Sequence, residues 1–491
     1  MAMKFTNNAT TTLASGITSS ATSLTVSASS GSLFPTLSGS DYFYCTLASS
    51  SGAIEIIKVT ARSTDTFTIV RAQDNTTASA WNSGDKVELR LVAASLNDLP
   101  KLDEANTFTG ANNYGTPASI TLTNGTGLPL TTGVTGILPA ANGGTGTSTG
   151  YYGFKNRIIN GAMVIDQRNA GASVTPTNTQ YTVDRFWAWL TQASKFTTQQ
   201  SSVAPPGFSN SLLVTSSSAY SVLAADYFVI SQRIEGYNWA DMAYGNASAQ
   251  TATLSFWVRS SLTGTFGGSL ENSAQNRSYP FNYTISSQNT WEQKSITIPG
   301  DTAGTWIGGT NGIGIQVNWG LGVGSNNSNT AGAWVAAGVI SSTGATSVVG
   351  TSGATFYITG VQLEKGSTAT SFDYRPYGTE LQLCQRYYEK SYSMASIAGA
   401  STNTGKGSFN VGAAANTFWR WTQNYRVSKR ADSTFTIYST TGASGNVRLN
   451  NASDLAVSTE DAGENATAIY VSRNAGLGDF FWWQWTASAE L

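Results

Sequence analysis

Apolar and polar residues alternate along much of this chain with the two-residue period of half-buried β-strands. The stretch 86–92 (KVELRLV) places Val87, Leu89 and Leu91 on one face and Lys86, Glu88 and Arg90 on the other. Stretches 22–28, 54–60 and 66–71 are strand-like and rich in β-branched residues. Turn signals at Ser50-Ser51-Gly52, Ser63-Thr64-Asp65 and Ser83-Gly84-Asp85 separate them. Residues 1–100 therefore read as a small N-terminal β-domain. A short helical exit follows over 93–99, and Pro100 stops it.

The pattern fails over residues 101–150, where Gly, Thr, Asn and Ala dominate and no core periodicity remains. In 128–139 isolated apolar residues alternate with glycines. One chain alone cannot bury them. The stretch is either a flexible linker or a thin shaft in which several chains wrap together. Strand patterns return over residues 151–380, at 184–190, 211–215, 252–259, 291–298, 313–319, 333–336 and 355–363. Their spacing and number fit a jelly-roll-like sandwich of two antiparallel sheets. A short helix over 381–389 leads to a last β-unit, 381–491, with strands at 408–411, 419–425, 434–439, 467–472 and 480–487. The fold class is all-β.

Composition agrees. Only 11% of residues are charged, against about 25% in an average soluble domain. The formal net charge is −1 and no basic block occurs, so no nucleic-acid partner is expected. No apolar run approaches a membrane span, and no membrane insertion is expected. The N-terminal residues lack the apolar core of a signal peptide. Cys45 and Cys384 lie far apart and read as small buried residues of different domains.

The chain has no histidine. That excludes Ser-His-Asp and Cys-His catalysis and His-ligated zinc. Gly146-Thr147-Ser148-Thr149-Gly150 matches the nucleophile elbow in form, but it lies in the Gly/Thr stretch and lacks a histidine partner. No EF-hand or nonapeptide spacing occurs, and neither metal nor cofactor is expected. Paired carboxylates survive the exclusion. Asp226, Glu235, Asp241, Glu271, Glu292 and Asp301 are available in the middle domain, but no 20-residue β-helix repeat accompanies them. Asp184 with Arg185, and Asp373 with Arg375, read as structural ion pairs.

Several motifs resemble those of tailed-bacteriophage and prophage tail fibre proteins. Residues 128–148 (LPLTTGVTGILPAANGGTGTS) are similar to their linker. Residues 156–163 (NRIINGAM), Asp166-Gln167-Arg168 and 181–186 (YTVDRF) resemble the opening of a fibre domain. Residues 361–366 (VQLEKG), Phe372, Arg375-Pro376 and Cys384-Gln385-Arg386-Tyr387-Tyr388 are similar to later parts of the same pattern, and 486–491 resembles the common terminus of such fibres. Residues 55–60 and 81–85 resemble a tail-attachment domain. The resemblance implies a fibrous homotrimer in the virion. Its N-terminal domain would dock on a tail or adaptor protein, and its C-terminal domains would bind a host-surface glycan for adsorption. A glycan-degrading tailspike and a purely structural fibre are the alternatives.

Glycan recognition needs flat apolar faces beside amides and hydroxyls, and aromatics are efficient anchors. The chain has 14 Trp and 21 Tyr. Trp187 and Trp189, Trp419 and Trp421, and Phe481, Trp483 and Trp485 recur at strand spacing and read as core or inter-chain packing. The glycan-binding candidates are Trp306, Trp319 and Trp334, among Asn311, Asn318, Asn326 and Asn327.

Overall fold

The computed structural model describes residues 2–97, 154–411, 416–475 and 478–491. The linker or shaft over 101–150, with its nucleophile-elbow look-alike, lies outside them. The chain divides into two compact units, Met1–Thr126 and Gly127–Leu491.

In the first unit, six strands form one antiparallel sheet: β1 (Thr10–Thr12), β2 (Ser23–Thr25), β3 (Phe43–Ala48), β4 (Ile54–Ser63), β5 (Thr66–Gln73) and β6 (Lys86–Glu88). The order is β1-β6-β3-β4-β5-β2, and an antiparallel bridge between Leu13 and Val26 joins the two outer strands. The sheet thus closes into a barrel and leaves no long free edge. Phe34, Phe43 and Phe67 meet inside it at 5.1–5.9 Å. Only β3 goes unread in the sequence among the longer strands. Its six residues (FYCTLA) carry apolar groups on both faces, so period-2 contrast is weak. The expected helical exit is α1 (Ala93–Asn97).

The second unit contains two β-layers of different size. The first is a sandwich whose chain passes through β7 (Gln180–Tyr181), β8 (Trp187–Leu190), β9 (Phe196–Ser201), β10 (Ser211–Ser216) and β11 (Tyr227–Glu235). It continues through β12 (Ala252–Ser260), β13 (Gly264–Glu271), β14 (Ser278–Ile285), β15 (Glu292–Ile298) and β16 (Ile313–Val323). A two-residue pair, β17 (Ser328–Asn329) and β18 (Ser341–Ser342), precedes β19 (Thr355–Lys365). One sheet has the order β15-β12-β19-β10-β9 and the other β14-β13-β16-β11-β8-β7. Between them lies a continuous apolar core that includes Phe228, Phe256, Phe266, Trp319 and Phe356. The expected strand at 333–336 does not form. Only Val335 bridges Ser278; Gly332 N–H donates to Pro280 O, so three residue steps here span two on β14 and no regular ladder forms.

Helix α2 (Tyr377–Gln385) starts four residues before the expected 381, directly after Pro376. Proline suits a helix start, since its missing N–H would have no partner there. Beyond it come β20 (Tyr388–Lys390), β21 (Gly407–Asn410), β22 (Asn416–Asn424), β23 (Thr434–Tyr438), β24 (Asn446–Leu449), β25 (Ser453–Ala456), β26 (Ser458–Glu460), β27 (Ala466–Ala475) and β28 (Phe480–Ser488). Strand β28 pairs with β20, β21, β23 and β24, and a second sheet runs β22-β27-β26. Phe481, Trp483 and Trp485 fill the space between, with Trp419 and Trp421 half-buried against them. All strand pairs but β17–β18 are antiparallel, so the described structure is all-β with two short helices. Cys45 and Cys384 are buried and free. No helix among the described residues is long and apolar enough to cross a membrane.

Within the second unit, several described residues that carry the fibre resemblance, from Asn156 to Glu490, form buried polar contacts with one another. The Asn156 Oδ1 accepts from the N–H groups of Ile158 and Leu363, and its Nδ2 donates to Val361 O, clamping the domain's opening onto β19. Gly161 packs so close to the Val361 carbonyl that any Cβ would collide with it. Arg185 does not pair with Asp184 as its neighbour. Its guanidinium meets Glu490 and lies 3.6 Å over the Tyr387 ring. Both residues lie in the turn between β7 and β8, where Arg185 takes a positive φ of 70°, so the two side chains find separate partners. Asp184 instead lies 3.9 Å from Arg168 and accepts from the Gln167 amide at 2.7 Å. Arg386 and the Tyr387 hydroxyl both bond Glu235 of β11, tying α2 to the sandwich.

Candidate functional site

Two of the three tryptophans singled out in the sequence come together. Trp306 and Trp334 lie half-buried at one end of the sandwich, 5.6 Å apart with their planes at 90°. Tyr244 stands edge-on to both, at 4.9 and 5.6 Å, and Tyr279 at the start of β14 packs on Trp334 at 5.4 Å. Each indole N–H is held from within: Trp306 Nε1 donates to Asp301 Oδ2 (3.1 Å) and Trp334 Nε1 to Pro299 O (2.7 Å). Asp301 is itself gripped by Arg277 through two bonds of 2.7 Å. Although burial works to raise its pKa, these donors hold the Asp301 carboxyl below its ordinary value. The rings are thus fixed in place, and Asn276 lies exposed beside Arg277.

The other candidates separate. Trp319 and Asn318 are each 0% exposed, and both are withdrawn as surface contacts. Trp319 points between the sheets, where it packs 6.0 Å from Phe256. Asn318 points from the opposite face of β16 but is covered. It accepts from Ser231 Oγ (2.7 Å) and Gln316 Nε2 (2.8 Å) and donates to Ser269 Oγ (3.0 Å). A central strand of a three-layer neighbourhood buries both of its faces, and sequence alone does not reveal the covering layer. Asn311 precedes β16 and exchanges hydrogen bonds with Arg430 of the last β-unit. Asn326 and Asn327 follow that strand, about 35 Å further along at the usual rise of an extended chain. Asn327 there donates to Ala225 O. These asparagines therefore do not join the Trp306–Trp334 surface. Tyr244, Tyr279 and Arg277 went unread as partners because they come from separate loops and strands.

Of the six carboxylates named from sequence, four hold a cation: Glu235 with Arg386, Asp241 with Arg157, Glu292 with Lys294 and Asp301 with Arg277. Asp226 is occupied by the hydroxyls of Tyr220 and Thr191 and the Leu223 N–H. Glu271 differs. It is 1% exposed and its nearest donor is Asn318 Nδ2 at 3.4 Å. Burial pushes its carboxyl up to about 7 against the weaker pull of Asn318 and Arg233. Burial likewise raises Asp184 to about 7, with Arg168 and Gln167 opposing. Among the described residues no group of three or more His, Cys, Asp or Glu could hold a metal ion.

Both raised carboxyls bind their proton more tightly folded than unfolded. The stability they contribute is full below about pH 4 and is lost as pH rises through about 7. Glu271→Gln should therefore stabilise the second unit at pH 8, by on the order of 3 kcal/mol, and hardly at pH 4. Urea unfolding of both proteins at the two pH values checks this. An equal effect at both would show that Glu271 stays ionised.

No family model matches the chain, and no curated protein does. Among solved structures it is similar to the enzymatically active domain of tailspike protein 4 of bacteriophage CBA120. The identity is 13% and the TM-score 0.25, over 43% of this chain and 22% of that one. A family 11 carbohydrate-binding module from Clostridium thermocellum matches with 11% identity and a TM-score of 0.21, over 41% of this chain and 98% of the module. The CBM22-1 xylan-binding domain from Paenibacillus barcinonensis matches with 9% identity and a TM-score of 0.21, over 41% and 99%.

Proposed function

We propose that this chain is a tail fibre protein of a tailed-phage virion that binds a host-surface glycan without cutting it. The fibre role, the homotrimer and the docking of residues 1–100 on a tail or adaptor protein follow the resemblance of the motifs at 55–60, 128–148 and 156–168. The observation that carries glycan binding is the Trp306–Trp334 pair. Two half-buried indoles, locked at right angles by internal hydrogen bonds, offer apolar faces to sugar rings at little entropic cost. Binding rather than cleavage is supported by the engagement of the other five carboxylates, since glycosidases work with two carboxyl groups across a cleft.

Incubation of the purified protein with host lipopolysaccharide or capsular polysaccharide tests this. Saturable binding with unchanged polymer length is expected. Trp306→Ala and Trp334→Ala should each weaken it about tenfold or more, the scale of a lost aromatic anchor. Chain shortening would establish an enzyme instead. Unaltered binding by both variants would place recognition elsewhere.

A further inference from the structure

A pocket lies between the opening of the sandwich domain and the start of α2. Its volume is about 110 Å³, and Asn156, Phe372, Asp373, Arg375, Tyr377 and Glu380 are among the residues that line it. About 10–15 Å³ of such space holds one water, so this pocket is the scale of a single small ring and not of an oligosaccharide. Two of its aromatic residues stay unburied: Tyr374 is 56% and Tyr377 52% exposed. Tyr374 is steadied by its hydroxyl bond to Gly207 O and by ring contacts with Phe208 (5.4 Å) and Phe372 (4.9 Å).

Below them Arg375 is almost fully buried. Its Nη1 and Nη2 donate to Ile158 O, Glu380 and Asn156 O. Its Nε–H has no hydrogen-bond partner, and the Asp373 Oδ2 stands 3.9 Å away. That gap is too long for a direct hydrogen bond, and the Nε is walled in by protein, so the ion pair orients Asp373, whose carboxylate keeps 13% of its side-chain surface open. A hydroxyl is the group that fits, since it donates to a carboxylate oxygen. Two carboxylates against one guanidinium disfavour an anion.

We propose that this pocket binds one neutral sugar residue, its apolar face on Tyr377 and one hydroxyl donating to Asp373. The site is separate from the Trp306–Trp334 surface and stands on its own geometry.

The test is ligand-observed saturation-transfer NMR on the full chain with the methyl glycosides of glucose, galactose, mannose and N-acetylglucosamine. At least one should bind, with a dissociation constant raised at least fivefold in Tyr377→Ala and unchanged in Trp334→Ala. Asp373→Asn, which keeps the shape but exchanges the carboxylate, should weaken it similarly and guards against a folding defect at 377. Failure of all four glycosides to bind would overturn the proposal. So would wild-type affinity in Tyr377→Ala and Asp373→Asn, or a loss confined to Trp334→Ala. Polysaccharide binding at Trp306 and Trp334 can survive each of those results.

Discussion

Replacing Glu490 with glutamine is expected to destabilise the second unit by about 3–5 kcal/mol, the penalty for leaving one partner of a buried ion pair unmatched. Glu490 pairs with two arginines. Arg168 Nη2 lies 2.8 Å from its Oε1, and Arg185, whose side chain is 1% exposed, meets its Oε2. Both guanidiniums also lie over tyrosine rings, Tyr388 at 3.7 Å and Tyr387 at 3.6 Å, so neither can swing out to water without uncovering aromatic surface. The neighbouring backbone is held as well. Tyr181 and Arg233 donate to Leu491 O, and Arg430 donates to Ala489 O and Glu490 O. Removing the carboxylate charge therefore strands Arg185 inside a knot that joins β8, β11 and α2. Urea unfolding followed by tryptophan fluorescence reads the effect. A change below about 1 kcal/mol, the level of a surface pair, would mean that the knot is open to water.

Glu55→Gln should have an effect of the same order in the barrel. The Glu55 carboxylate is fully buried and accepts five hydrogen bonds: two from Arg71 (2.8 and 2.6 Å), one each from the Ala72 and Ser79 N–H groups (3.1 Å), and one from Trp81 Nε1 (2.8 Å). Burial opposes ionisation, yet the Arg71, Trp81 and backbone donors hold its pKa below the ordinary value. A depressed carboxyl stabilises the fold above its unfolded pKa, near 4.3, and that stability is lost as pH falls through the folded value. The barrel should therefore soften in acid, opposite in sign to the Glu271 effect. Glutamine loses the charge and turns two acceptor positions into donors facing donors. A loss of about 3 kcal/mol or more is expected. Melting of a 1–100 fragment at pH 7 and pH 3 checks both parts, and equal stability at the two pH values would contradict the assignment.

Much of the strand pattern was legible because one-faced burial leaves a two-residue signature. Stretches 54–60, 252–259, 355–363 and 480–487 all lie in strands of the structure. Strand β13 (GTFGGSLE) escaped notice because Gly267 and Gly268 blank out the alternation, and β11 because both of its faces are covered. The same double coverage withdrew Trp319 and Asn318. An exposed tryptophan and a core tryptophan look alike in a strand, and only the neighbouring layer distinguishes them.

By itself the sequence determined the all-β class, the break in pattern after residue 100 and the exclusion of histidine chemistry, since these depend on local period and residue inventory. It also carried the motifs that resemble tail fibres, without saying what those residues do. Tertiary structure alone decided that. Arg168, Tyr387 and Tyr388 join the knot around Arg185 and Glu490, 305 residues apart, and Arg375 lines a pocket. It also brought Trp306 and Trp334 together and buried Trp319, of the three tryptophans shortlisted from the sequence. The physical reason is common to both. Charge pairing and aromatic exposure depend on which distant segments meet, and contacts between residues far apart in the chain leave no periodic trace in it.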